Sequence, residues 1–470
     1  MQKLNKDSSK YGKWFEEYNF ENCKLDRSAY GNFILQYLLE EKSGFVLNLN
    51  GSSGSGKTHF VKRLYTELFR KDHPCIYIDA WESDFTNSPM EVISSELISQ
   101  LDSINLEFDE DMKSLKSGMG KILKNLAIHG SGFLSKTILD DSDIGKDIAK
   151  SFLDKDSIDC VDLVKKVHEE QVSAVNKVRE SLIKISLKLQ NNYSAQLPVV
   201  VIVDELDRCR PSYAIEMLEV VKHFFQTDNF VFIIASDTEQ LQHSIKTIYG
   251  QDFNSKRYLK RFFDTEARLP EPNIENYIKS MHSDSISEAS KHPNITPKLS
   301  KDHLTKYLSI IFRDLSTELR DIDQIMKKAK SCIRNIVKTK SIDILMLYIA
   351  VTENHIDSEL YKKRENVIKT DQKYPNNNNI DLNSNYLINL ALTFNSLYET
   401  IDRDSHSGRD LYYTTSVNQD LFDLSNSSYN SDMYDIVRTY RTAASRLDDR
   451  VKLLTWEEYK NLVELADNLT

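Results

Sequence analysis

The sequence has little cysteine, and what it has is scattered. Its 470 residues include 5 cysteines, and no two of them lie at the short spacing of a zinc site or a redox pair. An odd, scattered set also argues against a disulfide framework, so we expect each thiol to be buried for packing. The five are Cys23, Cys75, Cys160, Cys209 and Cys332.

Long hydrophobic runs are also absent. The longest, "PVVVIV" and "FVFIIA", have the length of a strand, whereas a membrane helix needs about 20 apolar residues. Residues 1–20 contain no apolar core and are unlike a secretory signal peptide. We therefore expect no membrane segment and a cytoplasmic location.

The sequence also lacks an excess of positive charge. Lysine and arginine total 61 against 71 aspartates and glutamates, which gives a formal net charge of -10. This balance does not indicate nucleic acid or an anionic membrane as a partner, although net charge does not exclude a local basic face. At 40% hydrophobic and 28% charged, the chain has the composition of a globular protein.

Four short apolar runs alternate with amphipathic helical patterns. They cover residues 45–50, 75–80, 198–203 and 229–235, and nearly all of their residues are apolar, as in parallel strands that are covered on both faces. Residues 102–195 instead carry charged, helical patterns without strand signals. The sequence predicts a doubly wound α/β domain with a parallel sheet, interrupted by a helical insertion shaped as one long antiparallel arm.

The rest of the chain predicts a helical, all-α C-terminal region. A low-complexity stretch at residues 371–385, "DQKYPNNNNIDLNSN", predicts a disordered loop. We divide the chain into an N-terminal helix with the first half of the core at 1–101, the insertion at 102–195, the second half of the core at 196–272, a helical lid at 273–345 and a helical C-terminal region at 346–470.

The stretch "GSSGSGKT" fits the pattern G-x-x-x-x-G-K-[ST] in full. Glycines let successive backbone N–H groups turn towards phosphate oxygens, and the following helix presents its positive N-terminus to the same anion. We expect Lys57 to reach the β- and γ-phosphates and the Thr58 hydroxyl to bind magnesium. The predicted phosphate-binding residues are Gly51, Ser52, Ser53, Gly54, Ser55, Gly56, Lys57 and Thr58.

A second stretch at residues 130–137, "GSGFLSKT", resembles the first but fails the pattern. Ser135 stands where the second glycine is required, and Phe133 and Leu134 occupy the cradle. No strand precedes it, so we interpret it as a helix-capping turn.

Acidic residues follow the third strand-like run, in "PVVVIVDELDRCRP". Asp204 would project at the carboxyl edge of the sheet, where open α/β sheets bind ligands, and would hold magnesium. Glu205 would polarise a water that attacks the γ-phosphate. The alternative is an ordinary acidic turn after a strand. Arg208 and Arg210 flank the cluster and are candidates for pairing with its acidic residues.

Three further residues are candidates for contact with the γ-phosphate. Asp237 ends the fourth strand-like run, where it would orient water, although capping of the following helix is the competing interpretation. Arg261 and Arg320 would neutralise developing charge, within one chain or from a neighbouring subunit. For both arginines the alternative is a solvated basic helix face.

Several motifs in this order resemble the KAP family of P-loop NTPases. They are "GSSGSGKT", "YIDAWESDF", "VIVDELDRCRP" and "YLKRFFDTEARLP", preceded by the helix "LDRSAYGNFILQYL". The resemblance covers residues 25–345. Members often carry membrane segments in the insertion, which is charged and helical here. The family commonly has a tryptophan where this chain has Ser53, a departure that leaves the glycines and Lys57 in place.

The resemblance implies magnesium-dependent ATP hydrolysis and, from bacterial members, a role in phage defence beside partner proteins, with self-association. The absence of an [NT]-K-x-D motif favours ATP over GTP, and no LSGGQ-like signature appears. One alternative is an ATP-gated scaffold that recruits an effector with little turnover, because γ-phosphate binding can order lids and tails. The other is an ATPase stimulated by nucleic acid, which would show strong salt dependence.

Overall fold

A computed structural model gives the fold. It describes residues 9–41, 44–86, 88–103, 109–129, 157–225, 227–336, 340–356 and 452–468, with a few isolated positions between 387 and 443. The degenerate motif at residues 130–137 and the predicted disordered loop at 371–385 lie outside these residues. The chain divides into two compact units, Met1–Glu271 and Pro272–Thr470.

The first unit is built around a five-stranded parallel sheet. The sequence predicts a parallel sheet and four of these strands, but not the fifth, β5 (Thr265–Arg268). The strands in spatial order are β2, β3, β4, β1 and β5. Their bounds are Phe45–Asn50 for β1, Cys75–Asp79 for β2, Val199–Asp204 for β3, Phe230–Ser236 for β4 and Thr265–Arg268 for β5. Every residue of β3 and β4 is buried, which explains why these strands are almost wholly apolar.

The order of the strands brings three strand ends together. β4 lies between β1 and β3, with Asn50 of β1 opposite Ser236 of β4. Because all of these strands are parallel, the residues that follow β1, β3 and β4 meet at one edge of the sheet. The helices of this unit are Trp14–Glu17, Ser28–Glu40, Lys57–Arg70, Pro89–Ser103, Asp109–His129, Ser157–Tyr193, Pro211–Phe225, Thr238–Tyr249 and Ser255–Leu259.

Two of these helices form an antiparallel pair, which we call the arm: Asp109–His129 and Ser157–Tyr193. Ser181 donates a hydrogen bond to Ser114 across the pair at 3.1 Å, and Lys188 forms an ion pair with Asp111. Asp111 precedes Ser114 in the first helix, but its partner Lys188 follows Ser181 in the second. The two helices are therefore antiparallel. The predicted antiparallel arm is therefore present in the described residues.

A glycine pair in the arm gives a matched test of this packing. A Cβ at Gly118 would lie 2.9 Å from Val178 Cγ2, whereas a Cβ at Gly120 would meet nothing within 4 Å. We expect Gly120→Ala to raise the free energy of unfolding by about 0.5–1 kcal/mol, because alanine favours helix. We expect Gly118→Ala to lower it by about 1 kcal/mol, because overpacking outweighs that gain. Urea unfolding measures both, and equal stabilisation would contradict the close contact.

The second unit is mainly helical. Its described helices are Ile274–Met281, Ser283–Lys291, Lys301–Asp314, Leu319–Arg334, Ile344–Ile356 and Trp456–Asp467. It also contains a small parallel sheet that the sequence analysis did not predict, formed by β6 (Ile295–Thr296), β7 (Lys340–Asp343) and β8 (Lys452–Leu453). Across the described residues of both units, no helix combines the length and apolarity needed to cross a membrane.

Candidate nucleotide-binding site

The loop between β1 and the helix Lys57–Arg70 has the backbone shape that its glycines allow. Gly54 and Gly56 have φ values of 70° and 87°, in the left-handed region that favours glycine. Gly51 is required for a steric reason, because a Cβ there would lie 2.9 Å from Ser55 Oγ and 3.2 Å from Lys57 Cγ. The loop therefore turns tightly into the helix.

This loop leaves several backbone donors unsatisfied. Within the described part of the chain, no protein acceptor takes the N–H groups of Gly54, Gly56, Lys57 and Thr58. Orphan donors at a helix N-terminus, together with the positive end of the helix dipole, form an anion-binding site. The loop therefore has the donors and the charge to bind a phosphate group.

Lys57 is folded back over the loop. Its side chain is 9% exposed, and its Nζ donates to the carbonyl oxygens of Gly51 at 2.6 Å and Ser52 at 3.0 Å. The Oδ2 atom of Asp207 lies 3.8 Å from the same nitrogen. The other oxygen of Asp207 is buried without a hydrogen-bond partner among the described residues. The ammonium group is thus held beside the loop by weak acceptors.

Asp204, the last residue of β3, is completely buried. Its Oδ2 accepts a hydrogen bond from the Tyr77 hydroxyl at 3.0 Å, and its Oδ1 accepts one from the backbone N–H of Glu205 at 2.9 Å. Burial raises the pKa of Asp204 to about 6, although hydrogen bonds from Thr58 and Tyr77 to the carboxylate oppose this shift. A cation beside this carboxylate would therefore be strongly favoured.

Glu205 lies next to Asp204 in an unusual conformation for a glutamate, with a φ of 58°. Its Oε1 accepts a hydrogen bond from the Thr58 hydroxyl at 3.2 Å and lies 3.1 Å from an Arg208 nitrogen. Thr58 therefore lies within reach of both neighbouring carboxylates. The two neighbouring carboxylates have different partners: Tyr77 and a backbone N–H for Asp204, and Arg208 for Glu205.

Of the two arginines that flank the acidic cluster, Arg208 pairs with Glu205 as the sequence suggests. Arg210 does not. Its Nε lies 3.0 Å from Asp84 Oδ1, and its backbone N–H donates to Asp84 Oδ2 at 3.1 Å. The reason is the pairing of β2 with β3, which brings the loop after β2 beside the turn after β3.

The oxygen atoms at this edge suit magnesium. A threonine hydroxyl and a carboxylate are hard oxygen donors, and magnesium commonly completes its coordination with waters and substrate phosphates. The described residues contain no group of three or more His, Cys, Asp or Glu side chains that could hold a metal ion. Such a group is not needed at a phosphate loop, and Thr58 with Asp204 fits the ion.

Asp237 makes the capping contact that was the competing interpretation, and a second contact, with the phosphate loop, that was not predicted. Its role in orienting water stays a prediction. Asp237 caps the helix Thr238–Tyr249, where its Oδ1 accepts from the N–H groups of Glu239 at 3.1 Å and Gln240 at 3.2 Å. Its Oδ2 accepts from the N–H group of Ser53 at 3.0 Å. One carboxylate thus joins the end of β4 to the phosphate loop, and the Ser53 amide is engaged by protein.

The two candidate arginines belong to different units of the chain. Arg261 is exposed, just beyond the short helix Ser255–Leu259, and no hydrogen bond or ion pair joins its side chain to the described loop residues. Arg320 belongs to the second unit, where it is exposed on the helix Leu319–Arg334. Their contact with a γ-phosphate stays a prediction.

Two further residues lie beside the site and were not predicted from the sequence, Arg27 and Tyr77. Arg27 is 3% exposed and donates to the carbonyl oxygens of Ser55 at 2.8 Å and Pro270 at 2.5 Å. Tyr77 is buried on β2 and bonds Asp204. Both residues belong to motifs that carry the family resemblance, Arg27 to "LDRSAYGNFILQYL" and Tyr77 to "YIDAWESDF", but the pattern of those motifs assigns neither residue a role.

Comparison with known proteins agrees with this geometry. A search of curated proteins found no match. The family model described as the KAP family P-loop domain matches residues 27–335, which is more than half of the chain. This family suggests nucleotide hydrolysis, and its P-loop domain implies nucleotide binding, usually with magnesium. The loop, the order of the strands and this match together show that the chain belongs to the KAP family of P-loop NTPases.

Proposed function

We propose that this chain hydrolyses ATP in a magnesium-dependent reaction. The observation that carries the proposal is the phosphate loop, with four N–H groups that have no acceptor among the described residues, beside a buried lysine. Asp204 and Glu205 lie at the end of β3, on the other side of β4 from the loop strand, and the Thr58 hydroxyl is within reach of both carboxylates. Phosphoryl transfer depends mainly on positioning and electrostatic stabilisation, and these groups supply both.

In this proposal the loop, Gly51 to Thr58, binds the phosphates through backbone N–H groups. Lys57 exchanges its two carbonyl acceptors for β- and γ-phosphate oxygens, a change from neutral to charged acceptors that strengthens its hydrogen bonds. Thr58 and Asp204 hold magnesium, which would neutralise negative charge on the phosphates when bound. The buried Asp204 gains the counter-charge that it lacks in the protein alone.

Glu205 orients and polarises the attacking water. Once Thr58 binds magnesium through an oxygen lone pair, we expect its hydroxyl to donate to Asp204 instead of Glu205. The ion pair with Arg208 then holds the Glu205 carboxylate. Asp237 holds the loop through Ser53 and lies at the end of β4, between the loop strand and the acidic strand.

The finer parts of the proposal rest on the family resemblance and on the sequence. ATP is favoured over GTP because the guanine motif is absent. Arg261 and Arg320 would neutralise developing charge, from the same chain or from a neighbouring copy. Hydrolysis would drive or gate assembly of a larger cytoplasmic complex with partner proteins in phage defence. The proposed regions for this are the insertion at 102–195, the lid at 273–345 and the region at 346–470.

A lysine pair on one helix tests phosphate binding. We expect Lys57→Met to weaken ATP binding about tenfold or more, because it removes a charge-assisted contact with the phosphates. Lys62 lies 4.7 Å from the centre of the Trp14 ring on the same helix, and we expect Lys62→Met to leave the ATP affinity within about twofold. Calorimetric titration with ATP measures both. Wild-type affinity in Lys57→Met would contradict the proposed role of the loop.

An ATP-gated scaffold with little turnover is the second candidate. The contacts of Glu205 with Thr58 and Arg208 favour it, because they engage the proposed water-activating group before nucleotide binds. The two candidates differ in what controls assembly. Sedimentation with ATP, a non-hydrolysable analogue and ADP distinguishes assembly that follows ATP binding from assembly that follows hydrolysis.

A further inference from the structure

Arg27 lies beneath the phosphate loop rather than among the groups assigned above. One guanidinium nitrogen donates to the Ser55 carbonyl within the loop at 2.8 Å. The other terminal nitrogen donates to the Pro270 carbonyl, just beyond β5, at 2.5 Å. A Cβ at Gly56 would lie 3.4 Å from Arg27 Nη1. The charge therefore sits directly against the backbone whose N–H groups are open.

The surroundings of Arg27 do not neutralise its charge. Among the described residues no carboxylate pairs with it, and its Nε is buried without a hydrogen-bond partner. Burial lowers the pKa of Arg27 to about 10, so the group stays protonated at neutral pH. A buried cation is normally paired, because desolvation is costly. Two carbonyl oxygens satisfy its hydrogen bonds but do not supply a full negative charge.

The segment after β5 is fixed to the loop at the same place. Leu269 donates its N–H to the Asn50 carbonyl at 2.7 Å, and its Cβ would lie 3.3 Å from a Cβ at Gly51. One helical turn beyond Arg27, the Tyr30 hydroxyl donates to the Arg268 carbonyl at 2.6 Å. Arg27 thus joins the middle of the loop to a segment that is packed against the beginning of the loop.

We propose that Arg27 is a positioning residue for phosphate binding, which fixes the loop through Ser55 and Pro270 and supplies positive charge that a bound polyphosphate neutralises. This inference rests on the proposed function. It assigns to Arg27 a share of the affinity for the phosphates, with no direct contact with the transferred group. The fork of the guanidinium and its charge make separate contributions, and two substitutions separate them.

The test compares Arg27→Gln, Arg27→Lys and the control Arg63→Gln in the full chain. Glutamine keeps hydrogen-bond donors but loses the charge, and lysine keeps the charge but loses the fork. Arg63 is also buried, and it donates to the carbonyl oxygens of Asn19 at 2.9 Å and His59 at 3.1 Å, with no hydrogen bond to the described residues Gly51 to Thr58. Calorimetric titration with ATP and with inorganic tripolyphosphate measures phosphate affinity with and without the nucleoside.

We expect Arg27→Gln to weaken the binding of both ligands about tenfold or more, and Arg27→Lys to weaken it less, about threefold. Arg63→Gln should stay within about twofold of wild type. In phosphate-release assays of Arg27→Lys, KM should rise with little change in kcat, because the lost contact acts equally before and during the reaction.

Wild-type affinity in Arg27→Gln, or equal weakening in Arg63→Gln, would overturn the inference. If circular dichroism shows that Arg27→Gln does not fold, Arg27→Lys decides by the same comparison, and unchanged affinity in it overturns the inference. If the wild-type chain binds neither ligand, the proposed function fails and this inference fails with it. If the wild-type chain binds both ligands and the Arg27 variants bind them with unchanged affinity, only the inference about Arg27 is overturned and the proposed function stands.

Discussion

Glu205→Gln is expected to reduce phosphate release from ATP by about two orders of magnitude or more, with ATP binding retained. Glutamine has nearly the same shape, but its amide cannot polarise water as a carboxylate does. The fold should survive, because the ion pair that is lost involves Arg208, which is half exposed, and exposed pairs contribute about 0–1 kcal/mol. Steady-state phosphate release and ATP titration on the same preparations measure the two effects.

Glu82→Gln is the matched control for this substitution. Glu82 is an exposed glutamate on the loop after β2, and its neutralisation should leave phosphate release within about twofold of wild type. Unchanged turnover in Glu205→Gln would exclude this residue as the water-activating group. If the wild type binds ATP but releases no phosphate, the result would favour the scaffold.

Asp204→Asn is expected to have two opposite effects. It should abolish the strengthening of ATP binding by magnesium, because the substitution replaces a charged oxygen ligand with a neutral amide. It should also stabilise the metal-free protein at pH 8, because it removes a completely buried charge. ATP titrations with and without magnesium measure the first effect. Urea unfolding in a chelator measures the second.

The pH dependence of the metal-free protein follows from the same carboxyl group. Its pKa is 3.8 as a reference and about 6 in the folded protein. Below pH 3.8 the group is protonated in both states and carries no penalty. As the pH rises to about 6 the unfolded state loses its proton first, so stability falls, by about 3 kcal/mol at most.

Asp204→Asn lacks this penalty, so its advantage over wild type should be small at pH 4 and reach about 1–3 kcal/mol at pH 8. The gain is below the full penalty because one asparagine oxygen replaces two carboxylate acceptors, for Tyr77 and for the Glu205 N–H. A variant less stable than wild type at pH 8 would contradict this account, as would magnesium-dependent binding at the wild-type level.

The sequence was sufficient for four of the five strands of the sheet and for the outline of the site. Strands β1 to β4 are apolar because helices cover both faces of the sheet, and that cause leaves a direct trace in composition. β5 leaves a weaker trace, since its four residues alternate between exposed and partly buried. The strands of the second unit's small sheet have 2 to 4 residues, too few to produce a period.

Contacts between distant residues were the part that sequence reasoning could not reach. Arg210 pairs with Asp84 rather than with its acidic neighbours, because β2 and β3 are adjacent in space although the insertion separates them in sequence. Arg27 donates a hydrogen bond to the Pro270 carbonyl, although the two residues are separated by most of the sequence of the first unit. Asp237 caps a helix through one oxygen, as one of its two interpretations expected, but the contact of its other oxygen with the loop was not predicted.

The second helix of the arm has a mechanical consequence. Its 37 residues correspond to about 55 Å of helix, and it ends at Tyr193, six residues before β3 begins. β3 ends in the carboxylate of Asp204. A rotation of about 5° at the sheet end of such a helix displaces its far end by about 5 Å, the length of one helical turn. The base of the arm is connected along the chain, through residues 194–198 alone, to the strand that carries the acidic residues.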